Sequence, residues 1–100
     1  AAEIDWHDGY PITFNAPEAY DYWDTVTAAA FSREQVQTMG PVMGGEDFSY
    51  YGEQIPACFF ALGLCPASED SMPGLHHPSF DFNDDAIPLG IKAFLAIVNG

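Results

Sequence analysis

Only two of the 100 residues, Arg33 and Lys92, carry a positive charge at neutral pH, against 15 acids, for a formal net charge of −13. Nucleic acid is therefore the wrong partner, because binding to a phosphate backbone rests on Lys and Arg displacing counterions. An anionic membrane surface is disfavoured for the same reason. The sequence also has no apolar run of the roughly 18 residues that a spanning helix needs. The first residues, Ala1, Ala2 and Glu3, have neither the basic flank nor the apolar core of a signal peptide. The expectation is a soluble chain. Cysteine is scarce too: Cys58 and Cys65 make no disulfide framework and match no zinc-ribbon or thioredoxin spacing. Cys58 sits in an apolar run and reads as a small buried hydrophobe; reduced thiols suit a cytoplasmic location.

What the chain does have is 48% hydrophobic and 15% aromatic residues, too apolar for a disordered acidic tail. A chain of this size buries only roughly two-thirds of the surface that it exposes when unfolded, so its stability alone is marginal.

Ile4 to Phe14 mixes alternating apolar residues with turn signals at Asp8-Gly9 and a proline at position 11, an extended segment. Asn15 reads as a helix cap, with Glu18 three positions on as in a capping box and Pro17 in the first turn. Tyr20, Trp23, Val26 and Ala30 recur at helical spacing, predicting a helix over about 16–31 with Asp21, Asp24 and Thr25 toward water. Val36 to Met39 is a short β-prone piece, and Ala57 to Leu64 is a near-continuous apolar run of strand length. An apolar run of this kind points to a strand buried between layers of an α/β sheet. Met43 to Tyr51 reads as a loop entering a short helix, and Cys65 to Ser79 as a long loop. From Asn83 the chain turns helical again, with Asp84 and Asp85 at the positive end of the dipole and an apolar stripe of Ile87, Ile91, Phe94, Leu95 and Val98.

Two motifs could carry chemistry. In Leu75-His76-His77-Pro78, a loop imidazole held near a proline is a candidate metal ligand, and adjacent histidines point in different directions, so one ligand is expected rather than two. The pair also reads as ordinary exposed loop histidines. In Met43-Gly44-Gly45-Glu46-Asp47-Phe48, paired glycines permit close approach of a ligand, and amides at the following helix start could hold an anion. A tight turn with two capping acids explains the same residues, and nothing specific makes Glu46 a general base. Asp81 to Asp85 fails as an EF-hand, since Ala86 and Lys92 stand where glycine and glutamate are required. Cys65 with the two histidines lacks a fourth zinc ligand.

Three blocks in fixed order, GYPITFN (Gly9 to Asn15), PVMGGEDFSYY (Pro41 to Tyr51) and LHHPSFDFNDDAIPLG (Leu75 to Gly90), resemble the carboxy-terminal region of the hippurate hydrolase and indole-acetyl amino-acid hydrolase group. This group lies within the aminoacylase and zinc carboxypeptidase superfamily. The resemblance spans nearly the whole chain. It implies an α/β fold: the C-terminal portion of a zinc-peptidase-like α/β/α catalytic domain, incomplete on its own. Residues 1–14 would be the exit strand and linker from an inserted small dimerisation domain, and residues 15–100 the last part of the catalytic domain. It also implies a metal-dependent amidohydrolase acting on N-acyl amino acids or small peptides, working as a homodimer. The cofactor would be a binuclear divalent metal site of zinc, with manganese, cobalt or nickel as alternatives. In that pattern His76 ligates a metal, His77 is its neighbour, and Gly44, Gly45 and Glu46 line the substrate pocket. No catalytic residue falls within the chain, because the base and the other ligands match positions far upstream; the isolated chain is expected to be inactive. The contrasting expectation is a small acidic interaction module with no catalytic duty, which a compact, fully covered monomer would favour.

Overall fold

Pro17 starts the first helix because a missing amide costs nothing in the first turn, and the computed structural model, which describes all 100 residues, runs α1 over Pro17–Ala30. A 3₁₀ turn follows at Arg33–Gln35. Helix α2 is a single turn, Ser49–Gly52. A second 3₁₀ turn at Asp84–Ala86 leads directly into α3, Ile87–Asn99. None of the helices is long and apolar enough to cross a membrane.

The cap of α1 differs from the capping box read in the sequence. The cap residue is Ala16 and no side chain bonds to it. Asn15 instead reaches Phe59, 44 positions away: its Nδ2 donates to the Phe59 carbonyl at 2.9 Å and its Oδ1 accepts from the Phe59 amide at 2.8 Å. The Ala16 amide adds a third bond to the Ala57 carbonyl at 3.0 Å. An Asn side chain carries the same donor and acceptor as a peptide group, so it can stand in for a neighbouring strand.

Apart from a bond from Asn83 Nδ2 to the Leu64 carbonyl at its far end, those bonds are all that the apolar run Ala57 to Leu64 receives, and neither it, Val36 to Met39 nor Ile4 to Phe14 forms a strand. A strand needs a ladder on a neighbour, and the three extended segments do not pair with one another.

The helices pack on each other. Trp23 of α1 stacks on Phe60 at 5.6 Å, Phe60 meets Phe94 of α3 at 5.8 Å, and the Tyr22 hydroxyl donates to the Ile97 carbonyl at 2.6 Å. The side of α3 that enters this contact is its small-residue side. Ala86 and Ala93 are buried, and a Cβ on Gly90 would meet Leu62 at 3.4 Å. The apolar stripe read in the sequence stays largely uncovered: Ile87, Ile91, Phe94, Leu95 and Val98 are all exposed, Val98 by 79%, with Phe94 touching Phe60. An apolar stripe of this extent is normally covered.

The whole chain has that character. Five residues are buried, Thr27, Ser49, Ala57, Ala86 and Ala93, and the accessible surface is 8326 Å². A monomer of this mass exposes about 5,600 Å². The radius of gyration is 16.8 Å, within extents of 58 × 36 × 19 Å, against about 13 Å for a compact 100-residue domain. The excess area is larger than a standard protein interface, roughly 1,600 Å² in total.

Candidate functional site

The Leu75-His76-His77-Pro78 block forms a tight turn. The His77 amide donates to the Gly74 carbonyl at 3.2 Å, and His76 occupies the third position with φ of 68°, the one non-glycine residue of the chain at positive φ. That position belongs to glycine or asparagine in turns of this hand. A larger side chain there costs on the order of 1–2 kcal/mol. The two rings then part company. His77 Nδ1 accepts the Ser79 amide at 3.1 Å, so this ring is turned back onto its own loop, with Nδ1 unprotonated. His76 is exposed and neither of its ring nitrogens bonds within the chain.

The glycine pair sits on the other motif. After it, Glu46 Oε1 accepts the Phe48 amide at 3.0 Å, and the Glu46 carbonyl accepts both the Ser49 hydroxyl at 2.7 Å and the Ser49 amide at 3.2 Å. The Glu46 carboxylate is thereby committed to its own loop as a capping acid. The amides at the start of α2 that the sequence suggested for an anion are already bonded, and α2 has one turn only. The amides of Gly44 and Gly45 make no hydrogen bond within the chain. They are free donors, as are the amides of Glu46 and Asp47.

The two cations are also occupied. Arg33 Nη1 donates to Asp24 Oδ1 at 2.6 Å, and that hydrogen bond and charge push the Arg33 pKa above its ordinary value. The Lys92 ammonium lies 4.6 Å above the centre of the Phe31 ring. Neither is placed to recognise an anionic substrate.

No hydrogen bond links His76 to the glycine loop, and no three of the acids, histidines and cysteines gather where they could hold an ion. The donor set of a divalent metal is thus not completed inside these 100 residues: the chain offers one imidazole. Asn83, within the acidic run, is spent on local structure, its Oδ1 accepting the Asp85 amide and its Nδ2 donating to Leu64. A cleft of about 330 Å³ between Pro66, Glu69, Met72, Pro73, Ser79 and Asp81 to Asp84 contains neither motif. Both cysteines are free thiols, Cys58 half-buried and Cys65 exposed.

Two residues escaped sequence reasoning. Asn15 was legible as a cap but not as a partner for Phe59, and Tyr10 was one apolar residue in an extended run. A Cβ on Gly45 would stand 3.0 Å from the Tyr10 ring. The only signal was that both belong to blocks of the resemblance.

Comparison with known proteins follows the same blocks. The profile described as Peptidase family M20/M25/M40 matches residues 1–100. YhaA of Bacillus subtilis (strain 168), which is named as an amidohydrolase, is 33% identical over 90 residues, covering 90% of this chain and 23% of YhaA. IAA-amino acid hydrolase ILR1-like 2 of Arabidopsis thaliana is 35% identical over 92 residues, 87% of this chain and 20% of the relative. IAA-amino acid hydrolase ILR1-like 6 of the same plant is 31% identical over 88 residues, 88% of this chain and 19% of the relative. The chain spans about a fifth of the length of these curated relatives. No solved structure matches it.

Proposed function

The chain belongs to peptidase family M20/M25/M40, on the side of the hippurate and indole-acetyl amino-acid hydrolases, and from that membership we propose that it forms part of a metal-dependent amidohydrolase. The bond cleaved is the amide of an N-acyl amino acid or small peptide. The observation that carries this reading is His76, held at positive φ in a turn that glycine would occupy without strain, with both ring nitrogens free. A side chain kept at a cost in backbone energy is an outlier that calls for a function, and exposed imidazole is a metal ligand by chemistry.

In this reading His76 donates one ring nitrogen to a binuclear divalent site whose other ligands come from the remaining polypeptide. Zinc suits such a site best, with manganese, cobalt or nickel as chemical alternatives. When bound, the metal supplies a Lewis acid for the amide carbonyl and a water of lowered pKa. The free amides of Gly44 and Gly45 face the carboxylate of the substrate, a role that the engaged Arg33 and Lys92 leave to them, and Glu46 holds the loop in shape. The catalytic base lies outside the chain.

The excess surface, the outward face of α3 and the unpaired run Ala57 to Leu64 support the view that residues 15–100 are the last part of a larger α/β catalytic domain. Residues 1–14 are the exit from an inserted small domain. With neighbours on each side, Ala57 to Leu64 becomes a strand. We place the complete enzyme in the cytoplasm as a homodimer, in keeping with two reduced thiols. The extended shape gives no support to a self-contained acidic module.

The test is hydrolysis of N-acyl amino acids by the longer polypeptide that contains this chain. Activity lost to a chelator and restored by zinc is the expected result, with none from the 100 residues alone. Turnover indifferent to chelation, or turnover by the isolated chain, would overturn the proposal.

A further inference from the structure

We propose that Tyr10 is a positioning residue: its ring, packed on Gly45, fixes the loop whose Gly44 and Gly45 amides face the substrate. This rests on the preceding assignment of that loop to the substrate pocket.

Gly45 has no positive φ, so backbone conformation does not require glycine there. Space does. A Cβ at position 45 would lie 3.0 Å from Tyr10 Cδ2 and 3.6 Å from Cε2, whereas one at Gly44 would meet nothing within 4 Å. Gly45 is therefore the residue over which the Tyr10 ring closes. The same ring meets Tyr50 edge-on, with centroids 5.9 Å apart and planes at 83°, an attractive geometry for two aromatic quadrupoles. Tyr10 thus touches the loop at both ends, Gly45 before the turn and Tyr50 after it. From within, Ser49, only 2% exposed, holds the Glu46 carbonyl with its hydroxyl and its amide.

Tyr10 is suited to act as a brace. Pro11 follows it and restricts its backbone to extended conformations. Its hydroxyl makes no hydrogen bond within the chain, so the ring alone does the packing. Because Tyr10 lies in the segment assigned to the exit from the small domain, the placement of that segment reaches the glycine loop through one aromatic contact.

The experiment uses the longer polypeptide with Tyr10→Ala, Tyr10→Phe, Gly45→Ala and the Tyr10→Ala/Gly45→Ala double variant, assayed on an N-acyl amino acid and by thermal unfolding. A displaced binding loop weakens substrate binding, so Tyr10→Ala should raise KM roughly tenfold with kcat changed by less than about twofold. Tyr10→Phe should restore the wild-type KM. Gly45→Ala should also raise KM, and should add little once the Tyr10 ring is gone. A merely structural role lowers the folded fraction, and with it apparent kcat, and leaves KM alone. An unchanged KM in Tyr10→Ala, equal damage from Tyr10→Phe, or independent effects in the double variant would overturn the proposal. If the wild-type polypeptide cleaves no N-acyl amino acid, the pocket assignment itself has failed. The brace is then decided by unfolding: non-additive Tm shifts support it, and additive shifts refute it.

Discussion

Asn15 pairs with the backbone of Phe59 through both ends of its carboxamide, at 2.9 and 2.8 Å, and so ties the start of α1 to the apolar run Ala57 to Leu64. No other side chain in the molecule satisfies both polar groups of one peptide residue. Asn15→Ala removes both bonds at once, and in the longer polypeptide it should lower stability by about 1–2 kcal/mol. Asn15→Asp keeps the acceptor for the Phe59 amide but sets a carboxylate against a carbonyl oxygen, so it should not rescue. Denaturant midpoints of the three proteins check this; an Asp variant as stable as wild type would show that the donor half of the pair is idle.

Phe94 is 61% exposed in this chain, yet it belongs to the apolar stripe of its helix. In the longer polypeptide, Phe94→Ala should cost about 3 kcal/mol or more, as for a core aromatic. A true surface position would lose less than about 0.5 kcal/mol. Equilibrium unfolding separates the two, and the small value would mean that this face of α3 stays bare.

Burial pushes the Cys58 thiol pKa above its ordinary value, so the folded chain holds that proton to higher pH than the unfolded chain does. Between the two pKa values the unfolded state binds fewer protons, and stability falls as pH rises through this alkaline window. Cys58→Ala should flatten the slope there. Thiol alkylation should also be faster at exposed Cys65 than at Cys58. Equal alkylation rates and an unaltered slope would contradict the burial.

The helices were legible because their signals are local. Pro17 and the spacing of Tyr20, Trp23 and Ala30 place α1 within a residue of where it lies, and Asn83 caps the turn before α3 as its position suggested. The rest depends on partners distant in sequence. Ala57 to Leu64 has the composition of a strand, but a ladder needs a neighbour, and composition does not say which residue supplies it. Asn15 has the chemistry of a helix cap and of a strand mimic; only the fold, which brings Phe59 to it, selects the second. On α3 the hydrophobic stripe was legible, but what covers it was not. Beside that stripe runs a small-residue side, Ala86, Gly90 and Ala93, which fits closest against its neighbours within the chain. For the site, the motif alone gave one ligand out of two and the resemblance chose His76; in the structure His76 has a positive φ and an unbonded ring, whereas the His77 ring accepts the Ser79 amide. The role of Gly45 depends on the Tyr10 ring, which only the fold brings to it.

In the metal-free longer polypeptide, His76→Gly should raise stability by about 1 kcal/mol, because glycine takes a positive φ without strain. His77→Ala should lower it slightly, by up to about 1 kcal/mol, through loss of the acceptor for the Ser79 amide. Urea midpoints read both. A metal-free His76→Gly variant clearly less stable than metal-free wild type would make that residue a structural one.

The most direct measurement is the metal content of the purified longer polypeptide, by elemental analysis after dialysis, for wild type, His76→Ala and His77→Ala. Wild type and His77→Ala should retain their divalent ions, while His76→Ala should lose at least one and keep its fold by circular dichroism. Full retention by His76→Ala, or loss confined to His77→Ala, would contradict the assignment of the exposed imidazole as the ligand that this chain contributes.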